Sequence, residues 1–207
     1  MRRQSRATAF VALLLLLIST GTTAQTPQAK KTIAEIRKEL LQLPYYGVFD
    51  FIAFSYSKGT VTLQGYAYEG RLKTDAERAV KRASGVDQVV DKIEDLPSTL
   101  TDDDLRWKTY YAIYGDPFLS RYAPGGGALW GHQHAFEDEF HGLGPNRFPG
   151  TEPAGNYPIH IVVKNLHVTL LGVVDNDSDK DMAGIKATGA PGNMGVENEL
   201  IVEKRKK

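Results

Sequence analysis

The pentapeptide Val61-Thr62-Leu63-Gln64-Gly65 returns 107 residues later as Val168-Thr169-Leu170-Leu171-Gly172, and this internal repeat constrains the fold more than any other feature of the chain. Each copy reads as an alternating strand that ends on glycine. At the same offset Ala76 falls on Ala183, Ala83 on Ala190, Gly85 on Gly192, Val89 on Val196 and Ile93 on Leu200. Upstream, Ile52 falls on Ile159, Phe54 on Ile161 and Tyr56 on Val163. Periodic positions shared without a gap over about forty residues indicate a duplicated supersecondary unit. The chain therefore reads as two copies of one module.

The first 24 residues read as an export signal. Arg2, Arg3 and Arg6 precede an apolar run from Ala9 to Ile18, and small and polar residues follow up to Ala24. That run is about half the ~20 residues a spanning helix needs. Residues 25–31 read as a polar linker. Without Arg2, Arg3 and Arg6 the chain carries 22 basic and 25 acidic residues, a net charge of −3, which argues against nucleic acid as a partner. The only basic run is Lys204 to Lys207, a solvated tail or an aid to contact with an anionic surface. The chain has no cysteine, so disulfides and a lipid-modified cysteine are excluded.

The first module is expected over residues 32–98. Thr32 with Glu35 has the spacing of a capping box, predicting a helix from Ile33 that buries Ile33, Ile36, Leu40 and Leu43 and turns Glu35, Lys38, Glu39 and Gln42 outward. Strands at 49–56 and 61–65 form a hairpin around Ser57-Lys58-Gly59. Gly65 marks a place where a side chain would obstruct close backbone approach. Thr74 with Glu77 predicts a second helix with Ala76, Val80 and Ala83 inward, capped by Gly85, and residues 89–96 a third strand. The order is helix, strand, strand, helix, strand.

The second module, residues 99–207, repeats this order with a long insertion at 123–157. Thr101 and Asp102 to Asp104 are placed to cap its first helix. Leu105, Thr109, Ala112 and Ile113 form one face of that helix, and Trp107, Tyr110, Tyr111 and Tyr114 the other. Two readings of the aromatic face stay open. It packs on the other module or the insertion, or it forms an interfacial patch, where tryptophan and tyrosine are favoured. The insertion carries His132, His134 and His141 with Glu137, Asp138 and Glu139, from which a metal site can be drawn; a polar loop with scattered histidines explains the same residues, and no metal or cofactor is assigned. After Pro158 the expected elements are strands at 159–163, 168–174 and 196–202 and a helix from about Asp179. Asp91 and Asn198 share one repeat position, where either can hydrogen-bond local backbone.

The V-x-L-x-G strand, the alanine-faced helix and the closing Gly195-Val196-Glu197-Asn198-Glu199-Leu200 resemble the BON domain, named for bacterial osmotically inducible and nodulation proteins. The first copy carries the resemblance through Gly65, Ala76, Gly85-Val86 and residues 89–93, and the second through residues 158–165 and 168–172. The resemblance implies an α+β fold, two BON-like modules, each with two helices packed on one face of a three-stranded sheet. It also implies a secreted or periplasmic protein of envelope maintenance or osmotic stress. Such domains are proposed to bind phospholipid, and in dual-domain members the first helix of the second domain is implicated. Here that helix carries Trp107, Tyr110, Tyr111 and Tyr114.

No nucleophile elbow, phosphate loop or zinc-protease motif occurs in the sequence. With what the resemblance implies, the expected function is a non-catalytic binding module contacting anionic phospholipid or another envelope component. The alternative is a protein-interaction or self-assembly module that uses the aromatic face of helix 102–114.

Overall fold

The computed structural model describes residues 26–124, 153 and 155–203. Helix α1, Pro27–Leu41, starts earlier than the sequence predicts, because Thr26 caps it through Ala29 N and Pro27 takes the first turn. Thr32 and Glu35 are therefore inside the helix, and they serve its neighbour instead. The Thr32 hydroxyl donates to Ser84 O at 2.8 Å, and Ser84 N donates to the Glu35 carboxylate at 3.0 Å. The spacing expected to open α1 ties down the chain just beyond α2.

Strands β1 (Phe51–Ser57) and β2 (Thr60–Ala67) pair antiparallel; helix α2 (Gly70–Val80) crosses over to β3 (Gln88–Asp95), which lies parallel to β2. Thr74 does not cap α2, which begins at Gly70, four residues earlier. Ile36, Leu40, Val61, Leu63, Leu72, Ala76, Val80 and Ile93 form the core between helices and sheet.

The second module repeats the plan with α3 (Leu100–Tyr114), β4 (Ile159–Lys164), β5 (His167–Val174), α4 (Asp177–Gly189), and a third strand in two pieces, β6 (Gly195–Asn198) and β7 (Ile201–Val202). Both pieces run parallel to β5. Thr99, not Thr101, caps α3 by accepting from Asp102 N. Asp102 is buried and holds the β4–β5 turn through Asn165 N and Leu166 N, at 3.1 and 2.8 Å. This turn places Asn165 and Leu166 at φ 52° and 62°, where the first module has Lys58 and Gly59. The Asp102 carboxylate supports a leucine in backbone space that favours glycine.

Asp91 and Asn198 do bind local backbone, accepting from Ile93 N at 2.8 Å and Leu200 N at 3.3 Å. Gly65 and Gly172 lie at φ 129° and 127°, and a Cβ on either would stand 2.0 Å from the carbonyl oxygen of Phe51 or Pro158. The repeat reproduces even this close approach.

Candidate interaction surfaces

The segment between α1 and β1 joins the modules. Val48 and Phe49 leave the first module and lie in the core of the second with Leu105, Tyr110, Ile113, Tyr114 and Tyr157. Backbone bonds fix the segment on both sides: Ile161 N donates to Val48 O at 2.8 Å, while Val48 N donates to Pro153 O and Gly155 N to Tyr46 O. Asp50, itself buried, turns the chain back by accepting from Gly47 N and Tyr68 N. Phe49 meets Trp107, Tyr110 and Tyr68 edge to face, with centroids at 5.4, 6.2 and 6.2 Å.

This junction encloses part of the aromatic side of α3. Tyr114 is fully buried and Tyr110 is 5% exposed. Burial raises the pKa of both phenols, and the Tyr114 hydroxyl donates to Ile159 O. These two lie in the core of the second module. Trp107 and Tyr111 stack at 5.8 Å and pack, partly buried, against the same core. The face that looked unpartnered on a helical wheel is filled by a phenylalanine from the other module.

Arg106 was not singled out by the sequence, yet its side chain is buried on the same helix. Its guanidinium pairs with Asp103, donates to Pro97 O and Val163 O at 2.9 and 2.7 Å, and lies 4.6 Å over the Tyr68 ring. Burial lowers its pKa, opposed by Asp103. A helical wheel cannot identify such a residue, because its partners come from the interdomain segment and from β4.

His160 occupies the other side of the junction. Its ring lies 5.4 Å from Tyr46 and 5.5 Å from Phe51, with Nδ1 3.2 Å from Gly47 O. Burial pushes the imidazole down to about 4 from 6.5 and the Tyr46 phenol up to about 12. The folded protein thus holds His160 neutral while the unfolded chain protonates it near 6.5. Stability from this group is complete above pH 6.5 and is lost as pH falls toward 4, by about 3 kcal/mol in all. Urea unfolding at pH 7 and pH 5 should show this loss, and His160→Gln should flatten the pH dependence relative to the parent. Equal slopes for the two proteins would show that the imidazole does not titrate with folding.

Outside the junction, α1 presents a shallow concavity lined by Lys30, Ile33, Ala34, Arg37, Lys38, Leu41 and Gln42. Among the described residues no three His, Asp or Glu side chains are grouped to hold a metal ion. His132, His134, His141, Glu137, Asp138 and Glu139 lie outside the described residues, as do residues 1–25. No helix among the described residues is long and apolar enough to cross a membrane.

The chain is thus two αββαβ modules joined by an aromatic junction. Residues 26–94 and 148–204 match the model of the BON domain, and the chain belongs to that family. The family is one of non-catalytic binding domains, and it points to an envelope-associated binding module. Two solved structures of CdsD, a structural protein of the type III secretion system of Chlamydia trachomatis, are also similar. One covers 83% of this chain and 91% of its own at 15% identity and a TM-score of 0.26. The other, its C-terminal domain, covers 83% and 97% at 14% identity and a TM-score of 0.25. No curated protein matches the chain.

Proposed function

We propose that the chain is exported to the envelope and acts there as a non-catalytic module that contacts the phospholipid surface, in envelope maintenance or osmotic stress. One observation carries the binding reading: the buried charged and titratable side chains serve the fold. Asp50 and Asp102 hold turns, Asp116 pairs with Lys186 and accepts from Phe118 N, and Asp179 joins Arg121, Tyr122 and Asn176 at the start of α4. Arg106 and His160 belong to the junction. Each of these named side chains is held by partners within the fold. Recognition then falls to the exterior, and family membership favours the envelope.

Within this reading the α3 aromatics belong to the junction and the second module's core, with Trp107 and Tyr110 meeting Phe49, and Trp107 and Tyr111 forming the rim. The alternative, protein interaction or self-assembly through this helix, would require the rim pair alone to form the contact. Vesicle flotation separates the two. The purified protein is expected to float with vesicles containing phosphatidylglycerol, and the Trp107→Ala/Tyr111→Ala variant to float as well. A protein that floats with no vesicle composition, but oligomerises through Trp107, would replace the lipid reading with the alternative.

A further inference from the structure

The outer side of α1 combines charge and apolar surface in a way the composition does not foretell. Lys30, Lys31, Arg37 and Lys38 are all exposed, and none has an ion-pair partner among the described residues. Between them lie Ile33, Ala34 and Leu41, the last 49% exposed. The acidic residues of the same helix are turned away: Glu39 pairs with Arg82 at 2.9 Å, and Glu35 accepts from Ser84 N. On α2 and at its C-cap, Arg78 pairs with Asp75 and Lys81 with Glu77, while Arg71 lies 4.8 Å over the Tyr45 ring. A chain expected to be net acidic once exported has thus gathered four uncompensated cations on one side of one helix, interleaved with aliphatic carbon.

We propose that this side of α1 is the surface that docks the protein on an anionic phospholipid membrane. The inference rests on the lipid reading above and gives it a location on the first module, away from the buried aromatics of α3. Four ammonium and guanidinium groups match a plane of phosphate and other headgroup charges. The stems of Lys30, Arg37 and Lys38, with Leu41, supply the apolar contact at the headgroup boundary. The opposite side of α1, carrying Ile36 and Leu40, stays on the sheet, so docking requires no unfolding.

Flotation with phosphatidylcholine vesicles, with and without phosphatidylglycerol, tests this directly. The parent protein should bind only the anionic vesicles and release them as salt is raised. A cation held near an anionic surface is worth about fivefold in affinity, so Arg37→Gln/Lys38→Gln should bind roughly twentyfold more weakly. Both positions are exposed, and the variant's thermal midpoint should match the parent's. Lys108→Gln, whose lysine is already paired with Asp104 at 2.5 Å, should bind as the parent does. If the parent binds anionic vesicles and the double variant binds them equally, the α1 surface is wrong while the lipid reading stands. Equal binding to both vesicle types would remove the electrostatic basis. No binding by the parent to either would overturn both the lipid reading and this surface.

Discussion

Replacing Gly172 by alanine is expected to destabilise the protein by about 3 kcal/mol or more, and Gly65→Ala should do the same in the first module. Two causes act together. Backbone at φ near 130° is rarely adopted by a residue with a Cβ, and the added carbon would stand 2.0 Å from a backbone carbonyl of the paired strand. A flexible side chain could swing aside, but the Phe51 carbonyl belongs to the β1–β2 pair, and the Pro158 carbonyl, just before β4, accepts from Val173 N of β5 at 2.9 Å. Relief therefore requires moving one strand against another. Gly70→Ala is the control, since an added Cβ there would meet nothing within 4 Å and the residue begins α2. Urea titration should leave that variant within about 1 kcal/mol of the parent. Equal stability of Gly172→Ala and Gly70→Ala would show that the strand pair accommodates a side chain after all.

Phe49→Ala should cost about 3 to 5 kcal/mol, the range for removing a fully buried aromatic side chain. The more informative effect concerns cooperativity. Phe49 lies in the chain between α1 and β1 of the first module, but its ring meets Trp107 and Tyr110 and belongs to the core cluster of the second. Emptying that site removes the ring that the first module places in the second module's core, leaving Tyr46 and Phe51 on His160. Calorimetry should show one unfolding transition for the parent and two for Phe49→Ala, with the second module losing more. A single transition at an unchanged midpoint would mean that the backbone bonds of residues 46–48 couple the modules without the ring.

Much of this architecture was legible in the sequence because it depends on local periodicity and on equivalence between the copies. Val61 to Gly65 and Val168 to Gly172 occupy equivalent strands, β2 and β5, their glycines make the same close approach, and Asp91 and Asn198 bind backbone alike. Helix starts were less legible. The Thr-x-x-Glu pairs at 32 and 74 fall inside helices, because capping spacing recurs by chance and Thr26 with Pro27 started α1 first. The apparent mixed face of α1 was also misleading. A wheel sets Glu35 and Glu39 beside Lys38, whereas α2 draws the glutamates to one flank and leaves the cations on the other.

The aromatic residues of α3 mark the boundary most clearly. Their presence on the side opposite Leu105, Thr109 and Ile113 followed from 3.6-residue geometry, and so did the prediction that something unusual covers them or binds them. That Phe49 covers them, with Arg106 beneath Tyr68 and His160 held neutral across the junction, came only with the tertiary structure. Periodicity reports which side of an element avoids water; it carries no information about which distant residue removes the water. The two modules and their strand order were determined by the sequence alone. Their union, and the consequent exposure of α1 rather than α3 as the open charged surface, was decided by packing between segments more than fifty residues apart.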